Sequence, residues 1–96
     1  MLIAAEDLGK LRNEIERIDR ALVGLIRERV RVARLVLEAK EAAGLPVVDA
    51  HQETVVVRRS TDLAQAAGLP AEQIGEVFTR VIEITRQAEL SWKRSA

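Results

Sequence analysis

The stretch LRNEIERIDRALVGLIRERVRVARLVLEAK, residues 11–40, decides the fold of this chain. Its aliphatic side chains are spaced alternately three and four residues apart, a pattern typical of one face of an α-helix. We call this row the apolar seam, and its members are Leu8, Leu11, Ile15, Ile18, Leu22, Leu25, Val32 and Val36. Arg29 occupies the seam position between Leu25 and Val32, so a guanidinium lies in the middle of an otherwise apolar row.

A repeated pentapeptide, AAGLP, marks where helices are expected to end. It occurs at residues 42–46 and again at 66–70, and the residues that flank the two copies do not match. Glycine readily takes the left-handed conformation that follows a helix, and a proline shortly afterwards cannot continue the helix. We therefore interpret both copies as helix stop signals, and not as an internal repeat.

The stop signals and the apolar spacing together predict an all-α chain of three helices, one of them very long. Asp7 is the predicted N-cap of the first helix and Asp49 that of the second, where DAHQ has the spacing of a capping box. TVVV at 54–57 favours a strand locally, but a lone short strand would lack a partner. The chain is expected to form a single domain, 1–96, with helices at about 8–43, 50–67 and 71–93.

The composition excludes several classes of function. Hydrophobic residues make up 48% and charged residues 31% of the chain, with two prolines, which is typical of a helix-rich protein. Fifteen basic residues balance fifteen acidic ones, so the chain lacks the excess positive charge that nucleic-acid binding uses. Without cysteine there is no disulfide or thiolate chemistry, and the single His51 has no second ligand beside it, so no metal site is expected.

The sequence gives no sign of a membrane span or a secretion signal. No apolar run approaches the length of about 18 residues that a transmembrane helix needs. The opening MLIAAEDLGK lacks a basic leader followed by a long apolar run. These features, with the absence of cysteine, predict a cytoplasmic protein.

The first predicted helix is too long for one chain to cover. Its roughly 36 residues at ~1.5 Å each give a rod of about 54 Å, whereas a compact chain of this length has a radius of gyration of only about 12 to 13 Å. An apolar surface on several faces requires cover from more than one direction, and the second half of the helix carries Val30, Val32, Ala33, Leu35, Val36 and Leu37. We therefore predict an intertwined homodimer of six helices.

Arg29 is expected to share a cleft with a second cation, Lys40. The two residues are 11 positions apart, which on an ideal helix puts them about 20° apart in direction and ~16 Å apart along the axis. Arg12 lies 17 positions before Arg29, about 100° around the helix and roughly 25 Å away, so the two cannot hold one small ligand from the same straight helix. If both serve one site, Arg12 must come from the partner chain.

The other two helices are expected to bring polar groups to the same cleft. Thr85 and Glu89 continue the stripe of Phe78 and Val81, which places a carboxyl group on an inward face of the third helix. The first turn of the second helix can add Asp49, Gln52 and Glu53. Structural interpretations stay open here: a buried salt bridge at Arg29, a surface position for Glu89, and a purely capping role for Asp49.

Two classes of function fit this pattern. A non-catalytic helical oligomerisation module would use the apolar seam only to find a partner. However, an isolated arginine on a packing seam costs several kcal/mol unless it is compensated, and a small carboxylate ligand can compensate it by bidentate pairing. This favours an enzyme or binding protein. Because no nucleophile–base pair, glycine-rich phosphate loop or metal spacing appears, the chemistry is expected to need only positioning and electrostatics.

The same residues resemble the all-helical class (type II) of chorismate mutases. Residues 11–40 look like the first helix of that family, with its opening Leu-Arg, its Ile-Asp seven residues later, its mid-helix arginine and its closing lysine. GLPVVDAHQE, residues 44–53, resembles the loop and the start of the second helix, and the likeness extends over about residues 8–90. It implies an intertwined homodimer that rearranges chorismate to prephenate by a pericyclic (Claisen) reaction without a cofactor.

The resemblance also implies a role for individual residues. Arg12 from the partner subunit and Arg29 hold the two substrate carboxylates. Lys40 and Glu89 act at the ether oxygen, where charge develops as the bond breaks. The other substrate-binding positions that it implies are Asp49, Gln52, Glu53 and Thr85. Relatives often carry arginine at position 52, so this site is expected to be less cationic than some of theirs.

Glutamate at position 89 raises the question of its protonation, since many bacterial relatives carry glutamine there and an ionised carboxylate cannot donate a hydrogen bond. We hypothesise that Glu89 acts in its protonated form. Acidic groups would also suit a ring amine, as in the rearrangement of 4-amino-4-deoxychorismate, and isochorismate pyruvate lyase shares the fold and much of the cationic clamp. These two activities and the non-catalytic module stay alternatives to chorismate mutase.

Overall fold

The chain is helical almost throughout. A computed structural model describes the backbone of residues 5–95 and the side chains of residues 7–93. Within that range it forms α1 (Ala5–Ala43), α2 (Ala50–Ala66) and α3 (Ala71–Ser95), and no strand. The all-α prediction with one very long helix is thus confirmed. The strand-like TVVV lies inside α2, because burial of Val56 outweighs the weak local preference of β-branched residues.

Both AAGLP copies end a helix in the same way. Gly44 and Gly68 have φ of 68° and 72°, the left-handed region that glycine enters without steric cost. The amide of Leu45 donates to the carbonyl of Lys40 at 2.9 Å, and the amide of Leu69 donates to Ala64 at 2.9 Å. These bonds are those of a Schellman motif, which satisfies carbonyls at a helix end. The predicted helix stop signals are confirmed.

The predicted helix starts were right for α2 and wrong for α1. Asp49 has an extended backbone and its Oδ1 accepts a hydrogen bond from the amide of Gln52 at 3.0 Å, as an N-cap does. Asp7, the predicted N-cap of α1, instead lies inside the helix, which begins at Ala5. A carboxylate in the first turn of a helix still interacts favourably with the helix dipole, so an aspartate near a start does not identify the cap itself.

Helix α3 packs against both α1 and α2. The buried apolar side chains are Leu37 of α1, Val56 and Ala64 of α2, and Val81 of α3. Small residues allow α2 and α3 to approach closely: Ser60 is 2% exposed, and a Cβ at Gly75 would lie 2.9 Å from the methyl group of Thr61. The close α2/α3 crossing places the first turn of α2 beside the second half of α3.

The N-terminal half of α1 extends beyond the other two helices. The principal dimensions are 60 × 30 × 15 Å and the radius of gyration is 17.7 Å, well above the value of about 12 to 13 Å for a compact chain of this length. The eight aliphatic members of the apolar seam are each 41 to 66% exposed. One chain therefore leaves a long apolar surface uncovered on α1.

Ion pairs between residues one helical turn apart lie on the exposed surface of α1. Arg17 donates a hydrogen bond to Glu14 and Arg31 to Glu28, and these contacts lower the pKa of both carboxyl groups. All four side chains are largely exposed, where such pairs contribute little to stability.

No helix in the described range is long and apolar enough to cross a lipid bilayer.

Candidate active site

A partly open cavity of about 320 Å³ lies where the three helices meet. This volume falls within the range of small-molecule sites. Aliphatic side chains from all three helices and from the loop before α2 make up about half of its lining: Val32, Ala33, Val36, Val47, Val48, Val56 and Ile82. Charges beside such apolar walls act more strongly than they would in bulk solvent.

Arg29 projects from α1 into this cavity and is oriented by α3. Its Nη1 donates a hydrogen bond to Thr85 Oγ1 at 3.0 Å, and the Thr85 hydroxyl in turn donates to the carbonyl of Val81 at 3.0 Å. Thr85 is 7% exposed, so these two bonds hold its hydroxyl group in place. A guanidinium has five N–H donors, and most of them stay available for a ligand.

Lys40 lies on the same face of α1, about three turns further on. Its Nζ donates to the carbonyl of Val47 at 3.1 Å, which ties the ammonium group to the loop between α1 and α2. An ammonium has three donors, so Lys40 keeps two for a ligand. The contact with the loop holds the charge at the cavity wall.

The first turn of α2 contributes the acidic end of the cavity. Asp49, Gln52 and Glu53 all line it. The carboxylate of Asp49 caps α2, and Glu53 Oε1 accepts a short hydrogen bond from Nη2 of Arg86 on α3. An ionised carboxylate can accept about four hydrogen bonds, so both groups can still accept one from a ligand.

Arg86 is the cavity residue that sequence reasoning missed. Its side chain is 41% exposed and that of its partner Glu53 is 35% exposed. A signal for it was available: position 86 comes four residues after Ile82 and three before Glu89, so all three share one helix face. That signal was outweighed by the frequency with which arginines lie on solvated helix surfaces.

Glu89 lines the cavity from the C-terminal part of α3. Two contacts near Glu89 join this part of α3 to α1. The guanidinium of Arg34 lies 5.2 Å from the ring centroid of Trp92, and Lys93 forms an ion pair with Glu41 at 3.2 Å. A cation over an indole face is an attractive contact. These two contacts hold this part of α3 against α1, where the carboxyl group of Glu89 faces the same cavity as Lys40.

The structure brings together seven of the eight residues that the sequence predicted. Arg29, Lys40, Asp49, Gln52, Glu53, Thr85 and Glu89 all line the cavity. Arg12 does not, and it is exposed on the extended half of α1. Within the chain it lies where the helix geometry had put it, beyond reach of a ligand held by Arg29. The seven residues line one cavity, and their individual roles stay predictions.

The cavity combines positively charged side chains with carboxyl groups. Three cations, Arg29, Lys40 and Arg86, share it with carboxyl groups from the start of α2 and from α3. No cluster of three metal-ligating side chains occurs among the residues that the structure describes. The charged and polar side chains that line the cavity offer a ligand orientation, charge compensation and hydrogen bonds.

Comparison with known proteins agrees with this geometry. Residues 11–90 match the family described as chorismate mutase type II. The chain is 33% identical to a chorismate mutase of Methanocaldococcus jannaschii over 81% of its own length and 79% of the relative's. It is also 35% identical to a bifunctional chorismate mutase/prephenate dehydratase and 30% identical to a T-protein, both of Enterobacter agglomerans.

The two Enterobacter relatives are much longer proteins. The match covers 83% and 86% of this chain but only 21% and 22% of theirs, so the chain spans about a fifth of their length. The archaeal relative, in contrast, is covered over most of its length. Since the family match takes in most of α1 and α3, the whole of α2 and every residue that lines the cavity, the chain belongs to the type II chorismate mutase family.

Proposed function

We propose that the chain is a chorismate mutase that converts chorismate to prephenate. The observation that carries this proposal is the cavity itself, in which Arg29 and Lys40 of α1 face Glu89 of α3 and the acidic start of α2. In a substrate with two carboxylates, an ether oxygen and a ring hydroxyl, one carboxylate can meet Arg29, the ether oxygen can meet Lys40 and Glu89, and the hydroxyl can meet the acidic start of α2. The proposal is supported by the family to which the chain belongs.

In this proposal the enzyme works by holding its substrate in the reactive conformation. Arg29 binds one substrate carboxylate through its paired N–H groups, which gives the contact a defined direction. Thr85 does not need to touch the substrate, because its hydroxyl orients Arg29 and its only proton is donated to Val81. Correct orientation of the two reacting ends can lower a barrier by up to roughly 7 to 11 kcal/mol.

The bond that breaks leaves charge on the ether oxygen. Lys40, held by the Val47 carbonyl, can donate to this oxygen, and a protonated Glu89 can donate to it from the other side. Donors that are in place beforehand stabilise the transition state without having to reorganise. At the ring end of the substrate, Asp49 and Glu53 accept from the hydroxyl group. No cofactor, metal or covalent intermediate takes part in such a rearrangement.

We propose in addition that the active form is a homodimer in which the partner subunit completes each site. The exposed apolar seam of α1 supplies the surface to be covered. Covering one face of a helix of this length by a second copy would bury most of that surface. A paired α1 would bring Arg12 of the partner subunit to the second substrate carboxylate. Among the described cations of the cavity, Arg29 and Lys40 already have roles in this proposal, and only Arg86 has none.

The test is to incubate the purified chain with chorismate, 4-amino-4-deoxychorismate and isochorismate, and to identify the products by chromatography. Prephenate from chorismate, at a much higher kcat/KM than any product from the other two, is the expected result. Arg31→Ala serves as the control variant, because Arg31 lies on the exposed, ion-paired surface of α1.

Each other outcome points to one of the alternatives. Preferential turnover of 4-amino-4-deoxychorismate would identify a mutase for the aminated substrate. Release of pyruvate from isochorismate would identify a lyase. Turnover of none of the three by a folded, dimeric chain would contradict catalysis and favour the non-catalytic helical module.

A further inference from the structure

The ion pair between Arg86 and Glu53 differs from the other arginine–glutamate pairs in the described part of the chain. Those pairs join residues three or four positions apart on one helix: Arg17–Glu14, Arg20–Glu16, Arg31–Glu28, Arg34–Glu38 and Arg80–Glu83. Arg86–Glu53 instead connects α3 to α2, and both of its members line the cavity. The pair is therefore part of the surface that a ligand meets.

Arg86 changes the charge at the acidic end of the cavity. Without it, Asp49 and Glu53 would present two uncompensated carboxylates at the start of α2. With it, the guanidinium offsets Glu53 and occupies one of its oxygen atoms. This end of the cavity can then accept a hydrogen bond from a neutral donor, but has little excess negative charge with which to attract a cation.

The two candidate substrates differ only at the ring, where one has a hydroxyl group and the other an ammonium group. Both carry the same two carboxylates, so the cations that bind the carboxylates do not distinguish the two compounds. The difference falls at the start of α2, where Glu53 and its partner Arg86 line the cavity.

Building on the proposed function, we propose that Arg86 determines specificity by pairing with Glu53, so that the site selects a substrate with a ring hydroxyl over one with a ring ammonium group. The hydroxyl donates to the free acceptor positions of the Glu53 carboxylate. An ammonium group placed there would meet the like charge of Arg86. Loss of Arg86 would free the carboxylate of Glu53 to attract the ammonium group.

The experiment compares Arg86→Met with the unchanged chain on chorismate and on 4-amino-4-deoxychorismate. The aminated compound is measured as a substrate or, where its turnover is too slow, as a competitive inhibitor of chorismate turnover. Arg86→Met is expected to shift the ratio of kcat/KM values, or the inhibition constant, by about tenfold in favour of the aminated compound, since unit charges a few ångströms apart interact strongly in a partly enclosed site.

A matched control is Arg80→Met. Arg80 lies on the same helix and pairs with Glu83, which raises the pKa of the arginine, but it lies outside the cavity and its side chain is 80% exposed. This variant should leave the ratio unchanged. A merely structural role for Arg86 would lower kcat/KM for both compounds together, and would also leave the ratio unchanged.

A second pair of variants tests whether Glu53 is the group through which Arg86 acts. In Glu53→Gln the unpaired Arg86 should shift the ratio further toward chorismate. In a Glu53→Gln background, Arg86→Met should no longer produce the full tenfold shift, because the carboxylate that attracts the ammonium group is gone. Should Arg86→Met fail to fold, as judged by circular dichroism, Arg86→Gln takes its place with the same expected shift, because it also removes the positive charge beside Glu53.

The outcomes separate this inference from the proposed function. A chain that converts chorismate, with a ratio unaffected by Arg86→Met and Glu53→Gln, would contradict the inference and leave the proposed function standing. A chain that converts neither compound would contradict both. An unchanged chain that already prefers the aminated compound would overturn the selection that we assign to Arg86.

Discussion

Arg29 lies on the apolar face of α1, but its guanidinium has a hydrogen-bond partner and is only partly exposed to solvent. Its neighbours on α1 are aliphatic, but its guanidinium reaches the hydroxyl of Thr85 and the cavity beyond it. The three-and-four spacing of the seam was sufficient to predict that Arg29 and Lys40 look into one space, because a helix fixes the direction of each side chain. The orienting hydrogen bond depends on where α3 packs, and no spacing within α1 contains that information.

Arg29→Lys is expected to lower kcat/KM for chorismate by about 100-fold. Lysine keeps the positive charge but loses the paired N–H groups that bind a carboxylate in a defined direction. Steady-state kinetics would measure the loss, and circular dichroism would check that the helices persist. Arg31→Lys, a change of the same type at an exposed ion pair on α1, is the control. Equal effects at the two positions would contradict a substrate contact at Arg29.

Glu89 gives a second prediction, in the pH dependence of the reaction. If it donates a hydrogen bond as a neutral acid, kcat/KM falls when the group loses its proton, so activity is present at low pH and lost as pH rises. Glu89→Gln keeps a donor at every pH and should remove this decline. The charged groups that face the same cavity, and that both proteins retain, are Arg29, Lys40, Asp49, Glu53 and Arg86.

Comparison of the two pH profiles isolates the contribution of Glu89. The variant and the parent are to be measured in the same buffers, with circular dichroism at each pH to exclude unfolding. A parent whose kcat/KM is constant across the alkaline range, or a Glu89→Gln profile that declines as the parent does, would show that Glu89 does not act as a neutral donor.

The helix ends could be read from the sequence wherever the signal is local. A glycine that follows the last helical turn, and an aspartate that accepts from the amide three residues later, each act within a few residues of the helix end. The helix ends at Gly44 and Gly68 and the cap at Asp49 were therefore predicted correctly. The start of α1 was not predicted correctly, because an acidic residue is favourable anywhere in the first turn of a helix. The contact between α2 and α3 was not predicted either, since it depends on small residues that are far apart in sequence.

Gly75→Ala tests the close α2/α3 crossing. Alanine is the better helix former by about 1 kcal/mol, but its Cβ would lie 2.9 Å from the Thr61 methyl group. Thr61 cannot rotate away freely, because its hydroxyl donates to the Arg58 carbonyl at 2.8 Å. Overpacking typically costs 1–3 kcal/mol, so we expect a net loss of about 1 kcal/mol in the free energy of unfolding.

The matched background is Thr61→Ser, which keeps the hydroxyl and removes the methyl group. In that background Gly75→Ala should stabilise the fold, because the helix propensity is gained without the clash. Urea unfolding of the four proteins at one concentration measures the effect, since the stability of a dimer depends on concentration. A Gly75→Ala effect of the same sign and size in both backgrounds would show that the Thr61 contact is not its cause.

The shape of the whole chain carries the argument for a dimer. A compact monomer of this length would have no dimension near 60 Å, and it would not leave most of the apolar seam of its longest helix exposed. The sequence predicted the rod and the seam from length and spacing alone. It could not show how a second copy covers them, because that depends on the relative placement of two identical surfaces.

Mixed dimers test the partner contribution of Arg12 directly. Arg12→Ala and Arg29→Ala are each expected to be nearly inactive as homodimers. When the two variants are unfolded and refolded together, half of the dimers contain one chain of each kind. If Arg12 acts in the partner's site, each mixed dimer has one intact site and one site with both defects, so the mixture should recover about one quarter of the activity of the unchanged protein.

The recovery separates the two possible geometries of the site. If Arg12 served the site of its own chain, every site in every dimer would carry one defect, and mixing would restore nothing. Arg12→Ala mixed with Lys40→Ala should behave like the first pair, since Lys40 and Arg29 line the same cavity. Arg29→Ala mixed with Lys40→Ala should stay inactive, because each site of that dimer carries one defect. Sedimentation analysis of each mixture would confirm that dimers have formed, so that an absence of recovery contradicts the shared site itself.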